Sequence, residues 1–380
     1  MKVKTVGCVA LLFFAICCFS PAFGETAGKV DDEAAWSYHP GKDASAGSYE
    51  WWYLDAHLDN GYLVTIAFQV PSVLAPKYVK YHSDLSGGLP VPKYDPKNYA
   101  QVSFVVNDEK GRPIFYATED ADPGRIGMPG GKNMTVRLNN CRLEMKKTGA
   151  LPTFVARMDI RDASGNTAKA NVVFDAVVPA AKAGRGRTFD AVVDGKHLYD
   201  EWAILASAAK VKADISITNK ETGGTMNIRQ NGFGYHDKNW GNHFVYDTSK
   251  GWIWARIAED DLTIVFSEAP NICGDSVYPT FQPCIIVHNG RPLAATEALD
   301  YVKGAAAAGR LAYPTELTIN FKPESGVKGT LKLYGLKMIF EYGPYSRLTG
   351  SWALDIESEY GKLKRDGNDL LFEFCDFTVK

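Results

Sequence analysis

Apolar and polar residues alternate with a period of two through most of this chain. In residues 50–58, Trp52, Leu54, Ala56 and Leu58 fall on one side, and Trp51, Tyr53, Asp55 and His57 on the other. That spacing predicts a half-buried strand, because successive strand side chains point to opposite faces. Asn60-Gly61 then gives a tight hairpin signal, and Tyr62, Val64, Ile66 and Phe68 supply the return strand. The same period recurs in Cys141, Leu143 and Met145, and in Phe154, Ala156, Met158 and Ile160. Later it returns in Leu262, Ile264 and Phe266, in Leu317, Ile319 and Phe321, and in Trp352, Leu354 and Ile356. Turn signals separate these runs at Gly165-Asn166, Gly223-Gly224, Asn289-Gly290 and Gly367-Asn368. Many short-spaced strands with few helical windows predict an all-β chain, built as sandwiches or barrels. No strand–helix alternation supports a nucleotide-binding α/β fold.

A faint internal repeat suggests two β domains of similar topology. Gly111-Arg112-Pro113-Ile114 is followed by Ala117-Thr118, and Gly290-Arg291-Pro292-Leu293 by Ala295-Thr296. Each follows a Trp-rich strand, Trp51-Trp52-Tyr53 in the first half and Gly251-Trp252-Ile253-Trp254 in the second. The first half holds extra chain at 71–100, rich in Pro and Gly, which reads as a lid-like insertion. Gly-Arg-Pro is also ordinary hairpin chemistry that chance can place twice. A length of 380 residues suits two domains, and the second Trp-rich strand restarts the pattern just after 241–250. We therefore expect domains at 25–245 and 246–380.

Residues 1–24 read as a signal peptide. Lys2 and Lys4 precede the apolar stretch 9–19, and Ala22-Phe23-Gly24 offers small residues for cleavage before Glu25. The expectation is a periplasmic or secreted protein. The apolar run is too short for a membrane span, and nothing later is long and apolar enough for one. The formal charge is −2, or −4 without the two leader lysines, and no basic run stands out. Nucleic acid and anionic membrane surfaces are therefore not expected partners. Four cysteines lie beyond the leader: Cys141, Cys273, Cys284 and Cys375. Export permits disulfides, and Cys273 and Cys284 could close a loop, whereas Cys141 and Cys375 sit on alternating strands where buried thiols are equally expected.

The densest chemistry lies in Asn231-Gly232-Phe233-Gly234-Tyr235-His236-Asp237-Lys238-Asn239-Trp240-Gly241. Glycine inside a strand marks a bulge or a close backbone approach. Six polar or amphipathic side chains in a row fit neither a core strand nor a plain turn. The run reads as a strand carrying functional side chains into a cavity. Its candidate catalytic residues are Asp237 and His236. Tyr235, Asn239, Trp240, Trp51, Tyr53, Trp252 and Trp254 are candidate substrate-binding residues. An acid held among aromatic rings loses solvation, which keeps it protonated near neutral pH, and ring faces stabilise a positive centre. The competing reading is a satisfied core network, with Asp237 bonded to an indole N–H; Glu50 and Arg256 fit that description better. His236, Asp237 and His243 lack recognised metal-ligand spacing, so no metal is expected. No nucleophile elbow, phosphate-binding loop or dinucleotide fingerprint occurs, and no cofactor is expected.

Four segments occur in a familiar order: Glu50-Trp51-Trp52-Tyr53, Gly234-Tyr235-His236-Asp237-Lys238-Asn239-Trp240-Gly241, Gly251-Trp252-Ile253-Trp254 and Tyr313-Pro314. They resemble the hydroxyneurosporene synthase (carotenoid hydratase) and AttH-like group, over most of the chain beyond the leader. The resemblance implies two tandem lipocalin-like antiparallel β-barrels and a cavity for an apolar ligand. It implies a cofactor-free hydratase, isomerase or cyclase acting on an isoprenoid-like or lipid-like molecule. The motif's aspartate and histidine match Asp237 and His236. Many members carry a second histidine where this chain has Lys238, and the leader is a further departure, because carotenoid hydratases work on pigments inside the cell. A non-catalytic carrier of a hydrophobic small molecule stays open as the alternative.

Overall fold

Each Trp-rich strand pairs on one side with the strand after it and on the other with the last strand of its sheet. Ser48–Leu58 pairs with Leu63–Gln69 and with Thr225–Asn242. Gly251–Ala258 pairs with Leu262–Glu268 and with Gly361–Asp376. The result, in this computed structural model, is an all-β chain of two large antiparallel sheets, each coiled around its own apolar interior as a lipocalin-like barrel. The structure describes residues 35–39, 45–130, 133–147, 149–182 and 186–379. The predicted leader at 1–24 lies outside them. Among the described residues, no helix is long and apolar enough to cross a membrane.

The first sheet has twelve strands and runs from the edge Pro113–Asp120 to the edge Ile126–Gly127. The second has nine, from Arg291–Thr296 to Leu299–Lys303. The two Gly-Arg-Pro segments hold the same place in both. One joins Gln101–Asn107 to Pro113–Asp120, and the other joins Cys284–His288 to Arg291–Thr296. In each sheet these are the third and fourth strands. The stretch 71–100 falls between the second and third strands of the first sheet, and contains the helix Pro76–Ser86. A small ribbon, Ile272–Cys273 with Ser276–Val277, occupies the equivalent gap in the second.

The alternation read from the sequence decides what is buried where. Trp52, Leu54, Ala56 and Leu58 enter the first interior, with Phe68, Phe104, Phe154 and Phe174. Ile253, Ile257, Phe266, Leu333, Trp352 and Phe372 fill the second. The opposite faces of the two Trp-rich strands meet each other. Trp51 faces Trp252 with ring centres 6.4 Å apart, and Tyr53 meets Trp254 at 5.6 Å. Next along, the fully buried Asp55 and Arg256 form an ion pair between the sheets. The polar-tipped face of residues 51–57 is thus an inter-sheet surface, which explains its mixed character.

Gly232 and Gly234 lie opposite Leu58 and Ala56. A Cβ on Gly232 would collide with the His57 carbonyl, and one on Gly234 with the Asp55 carbonyl and Val211. The two glycines therefore permit a close approach of the two central strands. On the other flank, Lys196–Thr218 shifts register twice between Ile204 and Ala209. Such bulges bend a strand and re-aim its side chains. All four described cysteines are free thiols, with Cys141, Cys284 and Cys375 buried, so Cys273 and Cys284 do not close a loop.

Candidate active site between the two sheets

Strand Thr225–Asn242 presents different chemistry on its two faces. Tyr235, Asp237 and Asn239 point away from the first interior and toward the second sheet. His236, Lys238 and Trp240 point inward. Neighbouring residues in the sequence motif therefore serve separate environments.

On the outward face lies a cavity of about 410 Å³, within the size range of small-molecule sites. Asp237, Asn239, Trp51 and Tyr53 line one wall, and Trp252, Trp254, Arg347 and Glu373 the other. Asp237 is 5% exposed. Its Oδ2 accepts from Trp202 Nε1 and from Tyr235 OH, both at 2.8 Å. Among the described residues, Oδ1 accepts only from Asn239 Nδ2, at 3.2 Å. Burial pushes the carboxyl up to about 7; the bonds from Trp202 and Tyr235 oppose this, and the charges of Glu373 and Asp55 add to it. Both states are then well populated near neutral pH. A proton would occupy Oδ1, because Oδ2 already receives two donors.

Tyr235 supports Asp237 from beside the cavity and packs 5.3 Å from Trp254. Trp202 completes the cradle, supplying the indole N–H that the core-network reading anticipated. Nothing in the sequence marks Trp202 as a site residue. Its strand shows no motif, and only the pairing of Ile204 with Asp237 brings it near. Arg347, Glu373 and Tyr345 were missed for the same reason.

His236 does not meet Asp237. It packs against Phe154 at 4.5 Å and Trp36 at 5.7 Å, inside the first sheet. Its Nδ1–H donates to the Tyr53 carbonyl at 2.8 Å, and burial pulls the imidazole down to about 3. It is neutral and holds the Tyr53 backbone. Trp240 also turns inward and stacks on His39 at 4.2 Å. Lys238 is fully buried, forms an ion pair with Glu50 and donates to the Ala35 and Ser37 carbonyls, each at 2.6 Å. Burial draws it down to about 8 against the pull of Glu50. Lys238 thus anchors the segment 35–39 and does not enter the cavity.

His243 belongs to a separate network with Thr248 and Asp200, its Nε2 2.7 Å from Thr248 Oγ1. His236, Asp237 and His243 therefore do not converge on one point. At one end of the cavity Ser72, Val73 and Leu74 of the insertion contribute to the wall. Behind them Tyr78 and Tyr81 of the helix pack with Tyr94 and Phe244. His82 Nε2 reaches Asp247 at 2.8 Å, so the insertion is pinned to the connection between the sheets.

A buried acid thus lines an aromatic cavity at the junction of two lipocalin-like barrels. Among solved structures, the chain is similar to a putative AttH from Nitrosomonas europaea, with 11% identity and a TM-score of 0.55. The match covers 94% of this chain and 99% of that one. It is also similar to CghA, crystallised with Sch210972, at 10% identity and a TM-score of 0.53, over 92% and 98% of the two chains. A kievitone hydratase from Nectria haematococca aligns over 94% and 98%, at 14% identity and a TM-score of 0.48. No family model matches the sequence, and no curated protein matches it. At these identities the first two likenesses bear on the fold alone.

Proposed function

We propose that the chain is a cofactor-independent hydratase, isomerase or cyclase, working on an apolar isoprenoid-like or lipid-like molecule held between the two sheets. Asp237 is the general acid. The observation that carries this reading is a carboxyl poised at about 7 on the wall of an aromatic-lined cavity. Enzymes tune acids toward the working pH in this way, so that a proton is both present and transferable. Protonating an unactivated double bond creates a cation, which Tyr53, Trp252 and Trp254 would stabilise with their ring faces before water or an internal group captures it. The presence of Sch210972 in the structure of CghA supports placing an organic ligand in this fold. His236 acts through Tyr53 as a positioning residue. The leader favours work outside the cytoplasm.

The test is an untargeted metabolite comparison of a deletion strain complemented with wild type or with Asp237→Asn. A compound that accumulates in the deletion strain should vanish with wild type and persist with the variant. Its conversion by purified protein should fall by about 10²–10⁴-fold in the variant. Full conversion by a folded Asp237→Asn protein would place the acid elsewhere.

One observation favours a carrier instead: Asp237 already accepts three hydrogen bonds, as a purely structural carboxylate does. On that reading no bound ligand is ever converted, and wild type and Asp237→Asn bind alike.

A further inference from the structure

The cavity continues past the aromatic rings toward the edge strand Pro113–Asp120. Thr118, Ser103 and Ala67 line it there. They stand in one cross-strand row that runs on through Tyr53 to Asp237. Exposure falls along that row: Thr118 is open to solvent, Ser103 and Ala67 are half-buried, and Asp237 is closed off. One mouth of the cavity therefore lies at the edge strand, where Tyr116 packs 5.1 Å from Phe340 of the second sheet. The acid lies at the inner end.

The polar side chains on this wall are mostly committed to one another or to the facing sheet. Ser103 and Thr118 share a hydrogen bond at 3.1 Å, Gln101 donates to Asp120 at 2.8 Å, and Thr65 accepts from Arg347 at 2.7 Å. Gln69 is different. It lines the cavity and is half-buried, and its amide has no partner among the described residues yet keeps accessible surface. Ala67 on the same strand and Ser103 on the next are short and leave room beside it. A few placed polar groups in an apolar cavity fix the orientation of what binds there.

A carboxamide donates and accepts at once. A hydroxyl answers both halves, a carbonyl only one, and a hydrocarbon neither. A carboxylate has no proton to give, and would join Asp237, Asp200 and Glu373 on the lining while Arg347 is already paired with Glu373. The sheet sets the distance between the two groups. Gln69 pairs with Trp51, and Trp51 with Asn239, the next residue on the face of Asp237. Strand spacing and rise then put the Gln69 and Asp237 backbones about 12 Å apart.

We infer that Gln69 binds a hydroxyl group on an elongated, otherwise apolar ligand, whose far end lies at Asp237 against Trp254. This rests on the reading of the cavity as the working site, and narrows its ligand from hydrocarbons to long-chain or isoprenoid-like alcohols that enter over the edge strand.

Titration calorimetry with matched probes tests it: farnesol against farnesene, and dodecanol against dodecane. Wild type should bind each alcohol about tenfold more tightly than its hydrocarbon, the worth of one to two hydrogen bonds. Gln69→Leu removes an amide that nothing else in the described protein uses, so it should fold as wild type does, bind the hydrocarbons unchanged and lose the preference. Gln69→Met gives a second apolar replacement with the same expected result. Gln101→Leu alters the neighbouring amide, which is tied to Asp120, and should keep the preference. Equal affinity within the pairs, binding of neither alcohol, a preference that survives the Gln69 substitutions, or one that Gln101→Leu abolishes equally would overturn the inference. Asp237→Asn, run alongside, should keep the alcohol preference. A Gln69-dependent preference, with no Asp237-dependent compound in the deletion-strain comparison, would sink the catalytic reading and uphold this one. An Asp237-dependent compound that lacks a hydroxyl would do the reverse.

Discussion

Asp237→Asn should change how stability depends on pH. The carboxyl titrates at 3.8 in a free chain and at about 7 in the fold, a shift of roughly three units. Each unit corresponds to about 1.4 kcal/mol, so ionising Asp237 in the folded protein costs about 4 kcal/mol more than in the unfolded chain. The sign follows from proton counts. Below about pH 4 both states hold the proton, and the site does not alter the balance. Between about pH 4 and 7 the folded state keeps a proton that the unfolded chain has released, so stability falls as pH rises. Above 7 both states have lost it, and the full penalty stands. An asparagine at 237 has no proton to lose, and its carbonyl can still accept from Trp202 and Tyr235. The assay is urea denaturation of both proteins from pH 4 to 8.5. The variant should gain on wild type by up to about 4 kcal/mol across that range, with most of the change below pH 7.5. Titrations common to both proteins, including those of His236 and Lys238, drop out of the difference. Parallel curves would refute the reasoning, because they would mean that the three hydrogen bonds had offset the loss of solvation and left no stored proton.

Lys238→Met would strip the buried Glu50 of its lysine and leave it only His39, through the backbone N–H and the ring, among the partners seen in the described residues. Breaking a buried ion pair on one side costs about 3–5 kcal/mol, so the urea midpoint should fall sharply; an unchanged midpoint would show that the Lys238–Glu50 pair does not support the fold. The free cysteines predict that a reductant leaves the melting temperature unchanged. Cys141, Cys273, Cys284 and Cys375 should all react with a thiol reagent in denaturant without prior reduction, and protection of any of them would reveal a disulfide.

Much of the fold follows from local pattern. Period-two alternation in residues 50–58 assigned the faces of that strand, and the structure buries Trp52 and Leu54 in the first interior and sets Tyr53 and Asp55 against the second sheet. Gly-Arg-Pro marked the same hairpin in both sheets, because turn chemistry is local. Glycines in the 231–241 run announced close backbone contact, since nothing larger fits beside the His57 and Asp55 carbonyls. The motif also contains Asp237, which lines the cavity. What it could not do was separate Asp237 from His236. Adjacent strand residues point to opposite faces, and only the pairing on both flanks decides which face meets the cavity and which the core. Lys238 shows the same limit: its partners Glu50, Ala35 and Ser37 lie about two hundred positions away in sequence. The facing wall was wholly a matter of tertiary structure. Thr65 and Arg347 are 282 residues apart and belong to different sheets, yet they share a 2.7 Å hydrogen bond beside the cavity. Alternation determines which side chains leave a sheet; the docking of one sheet on the other determines what they meet.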